Sequence, residues 1–189
     1  VPVGDDQKQH LELCRDIAQK FNNDYNVKDV LVPPEPLIQK QFSRIMSLKD
    51  GQKKMSKSDV SDLSRINLTD DKDKIVNKIK KAKTDPHPIP ENVKDLDKRP
   101  EAENLLGIYS SLKRQSIEKT LEEFGGKNFS EFKNNLSELL VSNIEPISRE
   151  IKNLLNNHDH LDKILLDGGI KANEIAEKKV REIKKIIGF

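Results

Sequence analysis

The sequence of 189 residues has one cysteine, Cys14, no tryptophan and only 4% aromatic residues. A lone cysteine excludes an internal disulfide and any metal site built from several thiolates, and it suits a reducing, cytosolic setting. No apolar run is long enough to span a bilayer, and no signal-peptide pattern is present. With so few rings, the core is expected to be aliphatic, mostly leucine and isoleucine. An initiator methionine is also missing. The chain opens on Val1-Pro2-Val3, which looks like the interior of a longer protein.

What the chain does have is charge, at 35% of residues against 34% hydrophobic. Disorder is rejected because the apolar residues recur at helical spacing. The net charge of +2 conceals an asymmetry: Gln39 to Lys83 carries 13 lysines and arginines against 6 aspartates, and the remainder carries 21 basic against 26 acidic residues. A basic segment suits an anionic partner such as a nucleotide or an RNA backbone, and equally a solvated lysine-rich surface.

Val1 to Val3 has the character of the end of a buried strand, followed by a turn at Gly4-Asp5-Asp6. A helix is predicted from about Gln7 to Phe21, with Leu11, Cys14, Ile17, Ala18 and Phe21 on one face and Asp5 or Asp6 as its cap. Strand, glycine turn and helix in that order are the local grammar of an open parallel α/β sheet, whose ligands sit at the carboxyl ends of strands. Pro33, Pro34 and Pro36 make Asn22 to Gln39 irregular. Ile45 to Leu48 is a short strand or inner loop, and Asp50 to Ser61 is expected to be a mobile loop dense in lysine.

Beyond this point the pattern is helical. Thr69 or Asp70 is expected to cap a helix with the stripe Ile75, Val76, Ile79 and Ala82. A proline-rich charged connector spans 86–100, and a further helix is expected from Asn104 to Leu112. Ser116 caps a short helix that ends at Gly125-Gly126. Asn128 with Glu131 resembles a capping box before Phe132, Leu136, Leu139 and Leu140, and Pro146 is expected to kink or restart that helix. Gly168-Gly169 is expected to end the segment of Leu161, Ile164 and Leu165, and a last helix uses Ala172, Ile175, Ala176, Ile183 and Ile187. The change of texture between Ser58 and Asn67 divides the chain into domains at 1–65 and 66–189.

The sharpest chemical signal is Lys53-Lys54-Met55-Ser56-Lys57-Ser58-Asp59. Lys54 and Lys57 supply mobile positive charge, and Ser56 and Ser58 supply hydroxyl donors, a set that suits a polyphosphate. When pyrophosphate is expelled, charge grows on the leaving group, and lysines that meet it only then lower the barrier. The second signal is Gly4-Asp5-Asp6-Gln7. A glycine permits close backbone approach, a carboxylate at a strand end accepts from ribose hydroxyls, and Gln7 both donates and accepts. Taken alone, Asp5 and Asp6 serve equally well as plain helix caps.

Lys54 to Ser58 matches the KMSKS signature of the class I aminoacyl-tRNA synthetases. Val1 to Leu13 resembles the Gly-x-Asp-Gln segment of bacterial-type tryptophanyl-tRNA synthetases, as do Arg44-Ile45-Met46-Ser47-Leu48, Ala82-Lys83-Thr84-Asp85 and Asn104-Leu105-Leu106-Gly107-Ile108-Tyr109. The match runs through the whole chain in order, and tyrosyl relatives read differently at the loop and the Asp-Gln segment.

The resemblance implies an α/β, mainly helical fold: the C-terminal part of a Rossmann-like nucleotide-binding domain with the KMSKS loop, then an all-α domain on the anticodon side of tRNA. It implies a tryptophan–tRNA ligase that forms tryptophanyl-adenylate from tryptophan and ATP and transfers it to tRNA(Trp). Gly4, Asp5 and Asp6 would contact adenosine, Gln7 would lie near the amino acid's ammonium group, and Ile45 would line the adenine site through its backbone. Lys54, Met55, Ser56, Lys57 and Ser58 would close over the phosphates, with Lys54 and Lys57 catalytic. Magnesium would accompany ATP with no protein-bound metal, and the full-length protein would be a cytoplasmic homodimer. The family's His-x-Gly-His motif is nowhere in the chain, so the chain alone is expected to be inactive. The alternatives are a non-catalytic tRNA-binding fragment and a tyrosyl-type relative.

Other features carry less. Cys14, on the apolar helix face, is expected to pack. His158-Asp159-His160 is taken as a polar interhelical loop and not a metal site, and His10 as a structural hydrogen-bonding group. Lys178, Lys179, Arg181, Lys184 and Lys185 suit tRNA contact and ordinary pairing with Glu174, Glu177 and Glu182 equally well.

Overall fold

The structure, a computed structural model, describes residues 1–38 and 44–189. Gln39, the end of the irregular stretch, lies outside the described residues. The chain divides into two compact units, Val1–Ser43 with Leu154–Phe189, and Arg44–Asn153.

In the first unit, Pro2 pairs in parallel with Leu37 through a single bridge. Val3 N–H donates to Leu37 C=O at 3.2 Å, and Leu37 N–H donates to Val1 C=O at 2.8 Å. Between the paired residues lies α1 (Lys8–Asp24). Parallel partners need a crossover, and a helix is the usual one, so this is the connectivity of a βαβ unit. Val1 is nonetheless 58% exposed. The expected buried strand end is therefore corrected: a strand is buried by neighbours and a covering layer, and the described residues give this one a single partner. The α1 stripe is only partly covered. Ala18 is buried, Leu11 and Phe21 are half-buried, and Leu13, Cys14 and Ile17 are exposed, so the expected packing role of Cys14 is not seen.

The last helix, α6 (His158–Ile187), runs unbroken through Gly168 and Gly169. The two glycines were expected to end it. They cost helix stability through backbone entropy without forcing a break, and a Cβ built at either meets nothing within 4 Å. His158 and His160 lie in its first turn, where the Asn157 side chain accepts the His160 N–H at 3.3 Å. The interhelical loop expected there is part of the helix.

The second unit holds the core. Strand β1 (Met46–Ser47) and strand β2 (Asp50–Lys54) form an antiparallel hairpin across a turn at Leu48-Lys49. The helices are α2 (Lys72–Lys81), α3 (Pro100–Lys113), α4 (Ile117–Phe124) and α5 (Phe129–Leu155). The stripe of α2 is buried as its spacing predicts, with Ile75 and Ile79 both at 0% exposure. The cap of α2 is Asp71, whose side chain accepts the Lys74 N–H, and not Thr69 or Asp70. Asp70 turns inward instead, where its carboxylate meets Lys78, itself buried, and accepts the Asn67 N–H at 2.8 Å. Ser116 caps α4 and Gly125 ends it, as read from the sequence.

Helix α5 continues through Pro146 without restarting. Leu140, Ile144 and Ser148 keep one buried face across the proline, and packing of that face outweighs the lost N–H bond. Glu131 binds Lys127 at 3.0 Å.

The core is not purely aliphatic. Tyr109 and Phe124 meet edge-to-face at 5.1 Å, Phe124 and Phe132 do so at 5.1 Å, and Phe129 stands 6.4 Å from Phe132. Aromatics are scarce in the chain, yet these four converge where α3, α4 and α5 meet, and edge-to-face geometry suits their quadrupoles.

Lys78→Ala strands the Asp70 carboxylate in the interior, and a lowering of stability by about 3–5 kcal/mol is expected in urea unfolding. Gly168→Ala with Gly169→Ala should raise the helical signal of α6 in circular dichroism, each substitution favouring the helix by about 0.5–1 kcal/mol.

Candidate functional site

The Lys53–Asp59 segment begins as a strand. Asp50 to Lys54 was expected to be loop, because no apolar alternation marks it; pairing with β1 and contact with α3 make it β2. Gly51 is the enabling residue. A Cβ there would stand 2.6 Å from Glu101 N and from Pro100 C, so only glycine lets the strand backbone reach the start of α3. Glu101 closes the contact. Its carboxylate binds Lys83 at 2.7 Å. Lys83 first, with the backbone N–H groups of Glu101 and Gly51, holds the Glu101 carboxyl below its ordinary value against the opposing effect of burial. Asn104, on the next turn of α3, accepts the Met46 N–H at 2.9 Å and donates to the Met46 C=O at 2.9 Å.

Past β2 the backbone turns. Met55 is half-buried against the core, and its N–H donates to Ile45 C=O at 3.0 Å. The Ser56 hydroxyl lies 2.8 Å from the Ser58 hydroxyl and accepts the Ser58 N–H at 3.2 Å, a side-chain turn closed within the signature itself. Lys57, at the crest, is exposed, and it makes no hydrogen bond or ion pair among the described residues.

The exit is pinned again. Arg65 donates to Asp59 C=O at 3.0 Å and to the Asn67 side chain at 3.2 Å, and it pairs with Asp62 at 3.2 Å. Asp62 binds Lys78 at 2.8 Å, and Lys78 first, then Asn67, holds its carboxyl below the ordinary value. Two ammonium-bearing residues and two hydroxyls thus lie on a five-residue stretch with fixed ends, chemistry suited to phosphate oxygens.

Gly4, Asp5, Asp6 and Gln7 lie in the other unit. Asp5–Gln7 is a single 3-10 turn that leads into α1, and Gln7 donates to Asp6 at 3.1 Å. Gly4 has φ −85° and ψ 167°, ordinary extended backbone, so its dihedrals do not demand glycine. Ile45 is 47% exposed. The structure joins Ile45 to Met55 by a hydrogen bond and brings Ser56 and Ser58 together. The clamps at Gly51, Arg65, Glu101 and Asn104 were missed by sequence reasoning. The signal was there for Asn104, an amide between buried positions of an apolar helix, and for Gly51, a glycine inside a polar strand.

Residues 1–143 match the family described as tRNA synthetases class I (W and Y), the tryptophan and tyrosine group. The chain belongs to that family. Among similar class I synthetases, the tryptophan–tRNA ligase of Rhizobium meliloti (strain 1021) is 54% identical over all of this chain and 58% of its own length. That of Rickettsia conorii (strain Malish 7) is 50% identical over all of this chain and 56% of its own length. The crystal structure of tryptophanyl-tRNA synthetase from Mycoplasma pneumoniae matches 99% of this chain and 55% of that chain, with a TM-score of 0.84 at 30% identity. The Campylobacter jejuni synthetase complexed with ADP and tryptophan matches all of this chain and 56% of that one, with a TM-score of 0.68 at 28% identity. The fold is that of these synthetases, α/β and mainly helical. The chain spans little more than half the length of the curated relatives it matches. Among the described residues no helix is long and apolar enough to cross a membrane.

Because the folded-state carboxyl of Glu101 is held low, its contribution to stability is fully present above about pH 4.3, the ordinary glutamate value, and is lost as pH falls through the folded value. Urea midpoints for Glu101→Gln should therefore lie below those of the unsubstituted protein at pH 7, and the difference should shrink as pH falls below about 4.3; a difference that stays constant through the acid range would contradict the assignment.

Proposed function

We propose that this chain works as part of a tryptophan–tRNA ligase, contributing the loop that handles the phosphates of ATP. The carrying observation is the KMSKS turn: Lys57 stands exposed at its crest between two pinned ends. Relatives at about 50% identity bear the tryptophan–tRNA ligase name, and the Campylobacter jejuni synthetase holds ADP and tryptophan. These favour tryptophan over tyrosine as the amino acid.

In this reading the tryptophan carboxylate attacks the α-phosphorus of ATP, an O–P bond forms, and the bond to the β-phosphate oxygen breaks. Pyrophosphate leaves with the charge of that oxygen. Lys54 and Lys57 meet this growing charge, and the hydroxyls of Ser56 and Ser58 donate to phosphate oxygens. Met55 anchors the loop, and Ile45 presents backbone to the adenine. Gly4, Asp5 and Asp6 serve the adenosine part and Gln7 the tryptophan ammonium. The loop offers ammonium and hydroxyl donors, which suit phosphate and not a divalent cation, so magnesium would arrive on the nucleotide.

The assignment of 1–65 to the nucleotide-binding domain and of 66–189 to the helical tRNA-side domain belongs to the same proposal, as do tRNA(Trp) as acceptor, a homodimeric full-length enzyme and a cytoplasmic location. The 189 residues hold no His-x-Gly-His motif. On that observation the chain alone is expected not to form the adenylate, and the alternative for it is a non-catalytic tRNA-binding fragment.

Lys57→Ala in the full-length enzyme is expected to lower the tryptophan-dependent ATP–pyrophosphate exchange rate by about 100-fold or more, with tryptophan affinity little changed. Equal losses in rate and tryptophan binding would remove Lys57 from the leaving group.

A further inference from the structure

The hairpin that carries the KMSKS turn is fastened to α3 by a side chain that imitates a neighbouring strand. Asn104 is 8% exposed and lies beside Leu105 and Leu106, which are 1% and 0% exposed. An amide on such a face needs partners for both its donor and its acceptor. It finds both in one residue, Met46, whose N–H and C=O it engages at 2.9 Å each. On either side of Met46 the backbone is already committed. Ile45 C=O accepts the Met55 N–H at 3.0 Å, and Leu48 N–H donates to Ser64 C=O at 2.9 Å. A short relay therefore runs from the Asn104 amide to Met46, to the adjoining Ile45, and across one hydrogen bond to Met55 inside the signature.

We infer that Asn104 is a positioning residue for ATP. By fixing Met46 it sets the backbone of Ile45 at the adenine end, and through the Ile45–Met55 bond it sets the base of the turn that bears Lys57 at the phosphate end. One amide registers the two ends of the nucleotide site against each other. This inference rests on the reading of Ile45 and Lys54–Ser58 as ATP-binding. Gln7, assigned to tryptophan, lies in the other unit and outside the relay.

The test compares Asn104→Ala, Asn104→Asp and the packing control Leu105→Ala in the full-length enzyme, by tryptophan-dependent ATP–pyrophosphate exchange and thermal unfolding. Asn104→Ala is expected to lower kcat/KM for ATP by about 10- to 100-fold, since a small misplacement of reacting groups costs rates of that order. KM for tryptophan should stay within about twofold, since no hydrogen bond of the relay involves Gln7. Asn104→Asp keeps the volume and the acceptor but loses the donor, so the same ATP-side defect is expected without a cavity. It carries the test if the alanine variant does not fold. Leu105→Ala should lower the unfolding temperature without separating ATP from tryptophan. Wild-type kinetics in Asn104→Asp, or ATP and tryptophan parameters that fall together as in the control, would overturn the positioning role while leaving the enzyme reading intact. Absence of exchange in the unsubstituted full-length protein would overturn the enzyme reading itself, and the inference with it.

Discussion

The hairpin that carries the Lys54–Ser58 turn depends on one backbone-to-backbone approach. Strand β2 lies against the first turn of α3 because Gly51 has no Cβ to hold it off; any other residue would bring that atom to 2.6 Å from the helix backbone. The approach admits no solvent or side chain between the two elements, so the polar groups on each side must satisfy each other. Asn104 does this for Met46, and Glu101 pairs with Lys83 beside the contact. A weak and polar two-stranded hairpin, marginal in isolation, becomes part of a rigid frame.

The helical part of this architecture was legible because periodicity is a strong signal over ten or more residues. Ile75 and Ile79 on α2, and Leu136 and Leu140 on α5, are buried as their spacing requires. The Ser116 cap and the Gly125 stop of α4 were visible as residue types. The failures have physical causes. Strand β2 was hidden because its residues are polar and its stability comes from neighbours distant in sequence. Asp70 and Asp71 are chemically alike, and only burial separates the one that pairs with Lys78 from the one that caps α2. Gly168-Gly169 resembled a stop, yet a glycine ends a helix only where its backbone leaves the helical region, as Gly125 does with ψ 135° and Gly188 with φ +91°. Of the candidate site, the residue types of the Lys54–Ser58 turn were legible and its supports were not.

The scarcity of rings misled in a second way. Four of the eight aromatic residues gather at the junction of α3, α4 and α5. Composition reports an average, whereas a core needs large side chains only where helices converge. Placing the rings there leaves leucine and isoleucine to fill the flanks, and it ties α3, which supports the hairpin, to the long helix α5.

The two pins on the signature loop also act as a leash. Met55 is fixed by its side chain and its N–H, and Asp59 by the guanidinium of Arg65. The Lys57 Cα is two residues from each, and an extended chain advances about 3.5 Å per residue, so it cannot stray more than about 7 Å from either pin. A charge so tethered explores a small volume even when its side chain is solvated. Its local concentration at the mouth of the turn stays high and little freedom remains to be lost when an anion is met. Mobility at the lysine's tip and economy in its range are consequences of the same pair of fastenings.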